Sequence, residues 1–123
     1  MDKQFEVRFH DEFLPEFRKF PDSVRLQIYS LIEMLTVFGP MLGRPHVDTL
    51  KGSDYPNMKE LRFRAENGAW RVAFAFDAKR RAILLVGGDK AGISQRKFYR
   101  YLIEVADRRF DRQQQRTGQR QEE

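Results

Sequence analysis

Lys59, Arg62, Arg71, Lys90 and Tyr99 are the side chains of this sequence best suited to act on a phosphate. Arg62 and Arg71 fall on two strand-like segments joined by a tight turn, so their guanidinium groups can present paired donors to one phosphate. Lys59 and Lys90 add charge, and either could serve as base or acid if crowding by other cations lowers its pKa. Tyr99 and Trp70 offer rings on which a base could stack. RNA is a substrate that such a set could cut. Its 2′-hydroxyl attacks the adjacent phosphate once a base takes the proton, cations hold the growing charge and an acid protonates the departing 5′-oxygen. The same residues also read as the solvated face of a sheet, and Trp70 as part of a core.

Other chemistries find little support. His10 and His46 are far apart and there is no Cys, so a zinc site and a thiol nucleophile are not expected. Asp48, Asp54, Glu60, Glu66, Asp77 and Asp89 are scattered without the spacing of a two-metal cluster. Gly87-Gly88 follows a strand but leads into no GK[ST] pattern, so no phosphate-cradling loop is expected. An enzyme built from this chain would work without metal or cofactor.

The elements that must position these residues centre on 57–90. Trp70, Val72, Phe74 and Phe76 alternate with Arg71, Ala73 and Ala75, the period of a half-buried strand. Leu61 and Phe63 alternate with Glu60, Arg62 and Arg64 in the strand before it. Ala82 to Val86 is a continuous apolar run, as in a strand covered on both sides. Ala65-Glu66-Asn67-Gly68 and Asp77-Ala78-Lys79-Arg80 supply the two turns, the first with Asn67 and Gly68 at positive φ. This meander is expected to expose Glu60, Arg62, Arg71 and Lys90 near one edge. Upstream, Phe5, Val7 and Phe9 mark an opening strand. Asp11 is placed to cap a short helix over 12–20, and a longer one is expected to run to Phe38. There Val24, Ile28, Leu31, Ile32 and Leu35 form one stripe, which Gly39-Pro40 terminates. Residues 41–56 read as a loop. A last helix is predicted over 94–112, with Phe98, Tyr101, Leu102, Val105, Ala106 and Phe110 inward. The order β-α-α-β-β-β-α describes an α+β domain with a four-stranded, mainly antiparallel sheet and helices on one face.

At 123 residues the chain suits one domain, 1–112, with 113–123 as a polar, disordered tail. The formal charge of +5 is unevenly spread. Acidic and basic side chains nearly cancel through residue 89, and the excess lies between Lys90 and Arg120. That distribution suits nucleic acid or an acidic protein. No stretch approaches the ~20 apolar residues of a membrane span, and no leader precedes the first strand, so a cytoplasmic protein is expected.

Four longer stretches carry a resemblance. LGRPHVDTLKGSDYPNMKELRF (42–63), WRVAFAFD (70–77), RAILLVGGDKAG (81–92) and FYRYLIEVADRRF (98–110) are together similar to the phage Gp49-like, HigB-type branch of the RelE/ParE toxin superfamily. The similarity spans about residues 4–112. It implies the RelE-like fold, with a C-terminal helix able to pack on the sheet or swing from it. It also implies the toxin of a type II toxin–antitoxin pair, held by a cognate HigA-like antitoxin with a helix-turn-helix domain. HigB-type members cut mRNA on the ribosome without a metal.

Carried over position by position, Arg62 matches the strand arginine placed on the scissile phosphate, and Lys59 lies near the lysines upstream of it. Lys90 falls where a basic active-site residue is expected, and Tyr99 near the place of a catalytic tyrosine. Arg71 follows the aromatic of the second hairpin strand. His46 and Lys51 lie in the loop motif of this branch, and Arg96 and Lys97 extend the basic surface for substrate. The chain departs from one HigB type in lacking its His-Asp-Tyr-His constellation, which leaves the acid and base open. ParE-type relatives poison gyrase, so a toxin acting on a protein is a second expectation, and a basic RNA-binding module without toxicity a third.

Overall fold

The computed structural model describes residues 4–122, with side chains described through Thr117; residues 1–3 and 123, expected at the ends of the domain and tail, lie outside the described residues. The strands are β1 (Val7–Phe9), β2 (Val47–Thr49), β3 (Lys59–Ala65), β4 (Gly68–Phe76) and β5 (Ala82–Asp89). The helices are α1 (Phe13–Arg18), α2 (Asp22–Phe38) and α3 (Gln95–Glu122). The strands form one sheet of five in the order β1-β5-β4-β3-β2, with β1 parallel to β5 and the other pairs antiparallel. The additional strand is β2, three residues from the expected 41–56 loop that pair with β3.

Helices cover both faces of the sheet, not one. On the first face the α2 stripe Val24, Ile28, Leu31 and Leu35 joins Phe13 and Phe17 of α1 over Leu61, Trp70, Val72, Phe74 and Leu84. On the second, Phe98, Leu102, Val105, Ala106 and Phe110 of α3 pack on Met58, Ala73, Ala75, Ile83, Leu85 and Val86. Ala73 and Ala75 hold the positions that alternation assigns to an outward face, and both are buried there by α3. A small side chain lets a helix approach the sheet closely.

Local chemistry explains the joins. Ala65 pairs with Gly68, so the hairpin loop is Glu66-Asn67, and these two residues adopt φ of 50° and 59°. Gly68 lies in the strand instead of the turn. A Cβ on it would sit 2.3 Å from Asp89 Oδ2, so close packing, not positive φ, requires glycine there. Asp11 does not cap α1. His10 does the equivalent work, its Nδ1 accepting the Glu12 N–H at 3.1 Å and its carbonyl accepting from Phe13 and Leu14. Between Ala73 and Phe74 the β4–β5 register shifts, which leaves Leu85 unopposed in a bulge. The Leu85 carbonyl accepts Arg109 Nη1 at 2.7 Å.

The stretch expected as a disordered tail continues α3 as helix. No proline interrupts it, and Arg116 within it pairs with Asp11, next to an Arg112–Glu12 ion pair just before it. Contacts across about a hundred residues of sequence are not visible in local composition. On its other flank, Asp107 accepts from Ser53 Oγ and the Asp54 N–H, and Asp111 accepts from the Tyr55 hydroxyl.

Burial and the bond to Asp111 push Tyr55 up to about 12 from an ordinary value of 10.0. A folded-state pKa raised in this way stabilises the protein fully below pH ~10, and the contribution is lost as pH rises toward ~12. An ultraviolet titration of phenolate should therefore show a step near pH 12 that disappears in Tyr55→Phe. An unchanged alkaline step in that variant would refute the assignment.

Candidate active site

β3 and β4 pair so that Arg62 stands directly opposite Arg71. Strand alternation places both, with Glu60, on the face covered by α3. Tyr99 reaches the cluster from the start of α3. Arg62 Nη1 donates to Glu60 Oε2 at 2.8 Å. Arg71 Nε donates to the Tyr99 hydroxyl at 3.3 Å and lies 3.9 Å from Glu60 Oε1, while its Nη1 donates to the Trp70 carbonyl at 2.8 Å. Glu60 and Arg71 are only 3% and 6% exposed, so the expected open display of charge is instead largely covered.

Two shallow clefts open beside this cluster. One, of about 580 Å³, is lined by His46, Arg62, Arg64, Arg71 and Lys90 among others. The other, of about 260 Å³, is lined by Asp48, Thr49, Lys51, Glu60, Gln95 and Tyr99 among others. Lys90 follows β5 directly, and its N–H donates to the Ala69 carbonyl, which fixes the lysine's backbone at the cleft. Burial lowers its pKa from the ordinary lysine value; the charges of Arg71 and Arg62 act in the same direction and Glu60 against them. Burial raises the Tyr99 pKa, the bond with Arg71 opposes this and the Glu60 charge reinforces it. Tyr99 is therefore a protonated hydroxyl at neutral pH, and Lys90 releases its proton more readily than an ordinary lysine.

The structure thus brings Arg62, Arg71, Lys90 and His46 to one cleft and Lys51 and Tyr99 to its neighbour. Lys59 does not join them. Its strand parity is that of Leu61 and Phe63, and its partner in β4 is Phe74 of the α2-side core, so it belongs to the opposite face. Arg96 and Lys97 are exposed in the first turn of α3 and line neither cleft. Trp70 is core, with its ring 5.0 Å from Phe20 and stacked on Phe63. Sequence reasoning did not select Glu60, Arg64 or Gln95 for the site. The signal for Glu60 and Arg64 was available, since both share the parity of Arg62. Among the described residues no group of three or more His, Cys, Asp or Glu is placed to hold a metal ion, and no helix is long and apolar enough to cross a membrane.

Chemically, the arrangement offers guanidinium donors on a rigid sheet, an ammonium of reduced pKa and a neutral phenol around an open cleft. Such a surface favours an anion.

Comparison with known proteins agrees with the fold and the motifs. Residues 15–111 match the family described as phage derived protein Gp49-like. A Mycobacterium tuberculosis (strain ATCC 25618 / H37Rv) protein described as a toxin, HigB3, is 49% identical over 80 residues, which cover 65% of this chain and 68% of that protein. A second protein of the same strain described as a toxin, HigB2, is 44% identical over 84 residues, or 68% of this chain and 41% of the longer relative. A free-state structure of a double mutant of the E. coli toxin RelE superposes with a TM-score of 0.56 at 14% identity, covering 81% of this chain and 94% of that one. At that identity the superposition speaks for the fold, and the sequence matches speak for the branch. The chain belongs to the phage-derived Gp49-like family, together with the HigB-type toxins, and has the fold of RelE.

Proposed function

We propose that this toxin is an endoribonuclease that cuts mRNA on translating ribosomes, through attack of the 2′-hydroxyl on the neighbouring phosphate without a metal. The observation that carries this reading is the cross-strand pair Arg62–Arg71 at the cleft that also holds Lys90. Two arginines held side by side on paired strands suit the charge that develops on a phosphorane. Arg62, the more exposed of the two, takes the scissile phosphate, and Arg71 fixes Tyr99 while adding charge behind it. Lys90, with its lowered pKa, is suited to exchange a proton with the reacting oxygens. His46 and Lys51 line the path of the strand on either side. Arg96 and Lys97 lie outside the clefts and serve as outer contacts for RNA or a partner. Lys59 lines neither cleft and is given no role in the reaction.

A toxin of this family has an antitoxin as partner. That antitoxin carries a helix-turn-helix domain and lays an acidic segment over Arg62 and the exposed N-terminal part of α3. The protein acts in the cytoplasm, where translating ribosomes are.

The test is a brief induction of the chain without its antitoxin, followed by mapping of new RNA 5′ ends. Cuts confined to translated reading frames are the expected result. Growth arrest with intact mRNA would overturn the nuclease and favour a protein target, and normal growth with intact mRNA would leave a binding module.

A further inference from the structure

Glu60 is a buried carboxylate for which the proposed reaction has no use. It sits among cations on several elements: Arg62 on its own strand, Arg71 on β4, and Lys90 and Arg64 at the adjoining cleft. Asp48 stands opposite it on β2 but is engaged by Arg44, and Tyr99 of α3 lies beside it. One oxygen, Oε2, accepts from Arg62. The other, Oε1, is buried and faces Arg71 Nε at 3.9 Å, with the Tyr99 hydroxyl within hydrogen-bonding reach of the carboxylate. Two arginines directly opposite each other on paired strands repel, and left alone their long side chains would splay. A single carboxylate between them fixes their spacing and still leaves donors on each free.

We propose that Glu60 is a positioning residue of the phosphate site: its buried carboxylate holds Arg62 and Arg71 at working distance in the empty cleft and gives way to an incoming RNA phosphate as their counter-ion. The proposal rests on the nuclease reading for its catalytic part only. It has a consequence opposite in sign to that of a purely structural residue. Removing the negative charge makes the cleft more attractive to RNA, because an anion no longer competes with the phosphate, while it loosens the geometry on which the reaction depends.

The experiment compares wild type, Glu60→Gln and Glu60→Asp. Binding of a short single-stranded RNA made uncleavable by 2′-O-methylation is measured by fluorescence anisotropy at several salt concentrations. Cleavage of mRNA is measured in a single-turnover translation reaction. Glu60→Gln should bind the methylated RNA about three- to tenfold more tightly, with a steeper salt dependence, yet cut about 10- to 100-fold more slowly. Glu60→Asp keeps the charge but shortens the reach, so binding should stay within about twofold of wild type and cleavage should fall about tenfold. Weaker binding together with slower cleavage in Glu60→Gln would overturn the proposal, as would unchanged cleavage in either variant. If Glu60→Gln does not fold, Glu60→Asp decides alone by the same cleavage criterion. If wild type itself leaves mRNA intact, the nuclease reading fails separately, and the binding measurement still settles whether Glu60 competes with an anion.

Discussion

Arg62→Ala should lose cleavage by about 10²- to 10³-fold, the usual cost of removing one strong donor from developing negative charge. Cells expressing it should grow without the antitoxin. The fold should survive. The Arg62 side chain is a quarter exposed, and among the described residues its side-chain ion pair is with Glu60, which retains Arg71 as a neighbour. A melting temperature within a few degrees of wild type is therefore expected beside the lost activity. Lys90→Ala should cost less, about 10- to 100-fold, if the lysine moves a proton and does not carry the main charge. Rates from single-turnover cleavage, with thermal unfolding run on the same preparations, decide the matter. An Arg62→Ala protein that still cuts at the wild-type rate would remove the phosphate clamp from the mechanism.

The largest stability effect should come from Arg109, far from the cleft. Its guanidinium is buried, grips both oxygens of Glu16, reaches Glu12 and donates to the Leu85 carbonyl released by the bulge. The bonds to Glu16 hold its pKa above the ordinary arginine value against the effect of burial. Arg109→Met keeps the apolar stem and removes every donor. Glu12 and Glu16 are two-fifths exposed and can turn to water, so the loss is concentrated in the orphaned carbonyl and the broken tie between α3 and α1. A cost of about 2–4 kcal/mol follows, below the full figure for a wholly buried pair. For a domain of this size that corresponds to a fall of roughly 10 °C in melting temperature. Denaturant unfolding that shows less than about 0.5 kcal/mol of loss would mean that the network is redundant.

The parts of this fold that a reader can see in the sequence are those in which a local period meets a one-sided environment. Trp70, Val72, Phe74 and Phe76 announce β4, and the α2 stripe from Val24 to Leu35 announces its buried face. Val47–Thr49 is too short to show a period, and only its pairing with β3 makes it a strand. The second helix layer was hidden because Ala73 and Ala75 are too small to look like core. For the candidate site the mixture was similar. Arg62, Arg71 and Lys90 were legible from strand parity and position. Lys59 was legible too, in the other direction, since it shares the parity of Leu61; similarity to upstream lysines outweighed parity there. Glu60 could be assigned a face but not its burial, which depends on where α3 lies.

The outermost strands, β1 and β2, are each three residues long. Each covers only part of its neighbour: β1 pairs with Ala82–Leu84 and β2 with Lys59–Leu61. Among the described residues, Val86–Asp89 of β5 and Phe63–Ala65 of β3 therefore have no strand on their outer side. A short margin thus leaves its longer neighbour partly bare, and the main chain there is what an added strand would find to pair with.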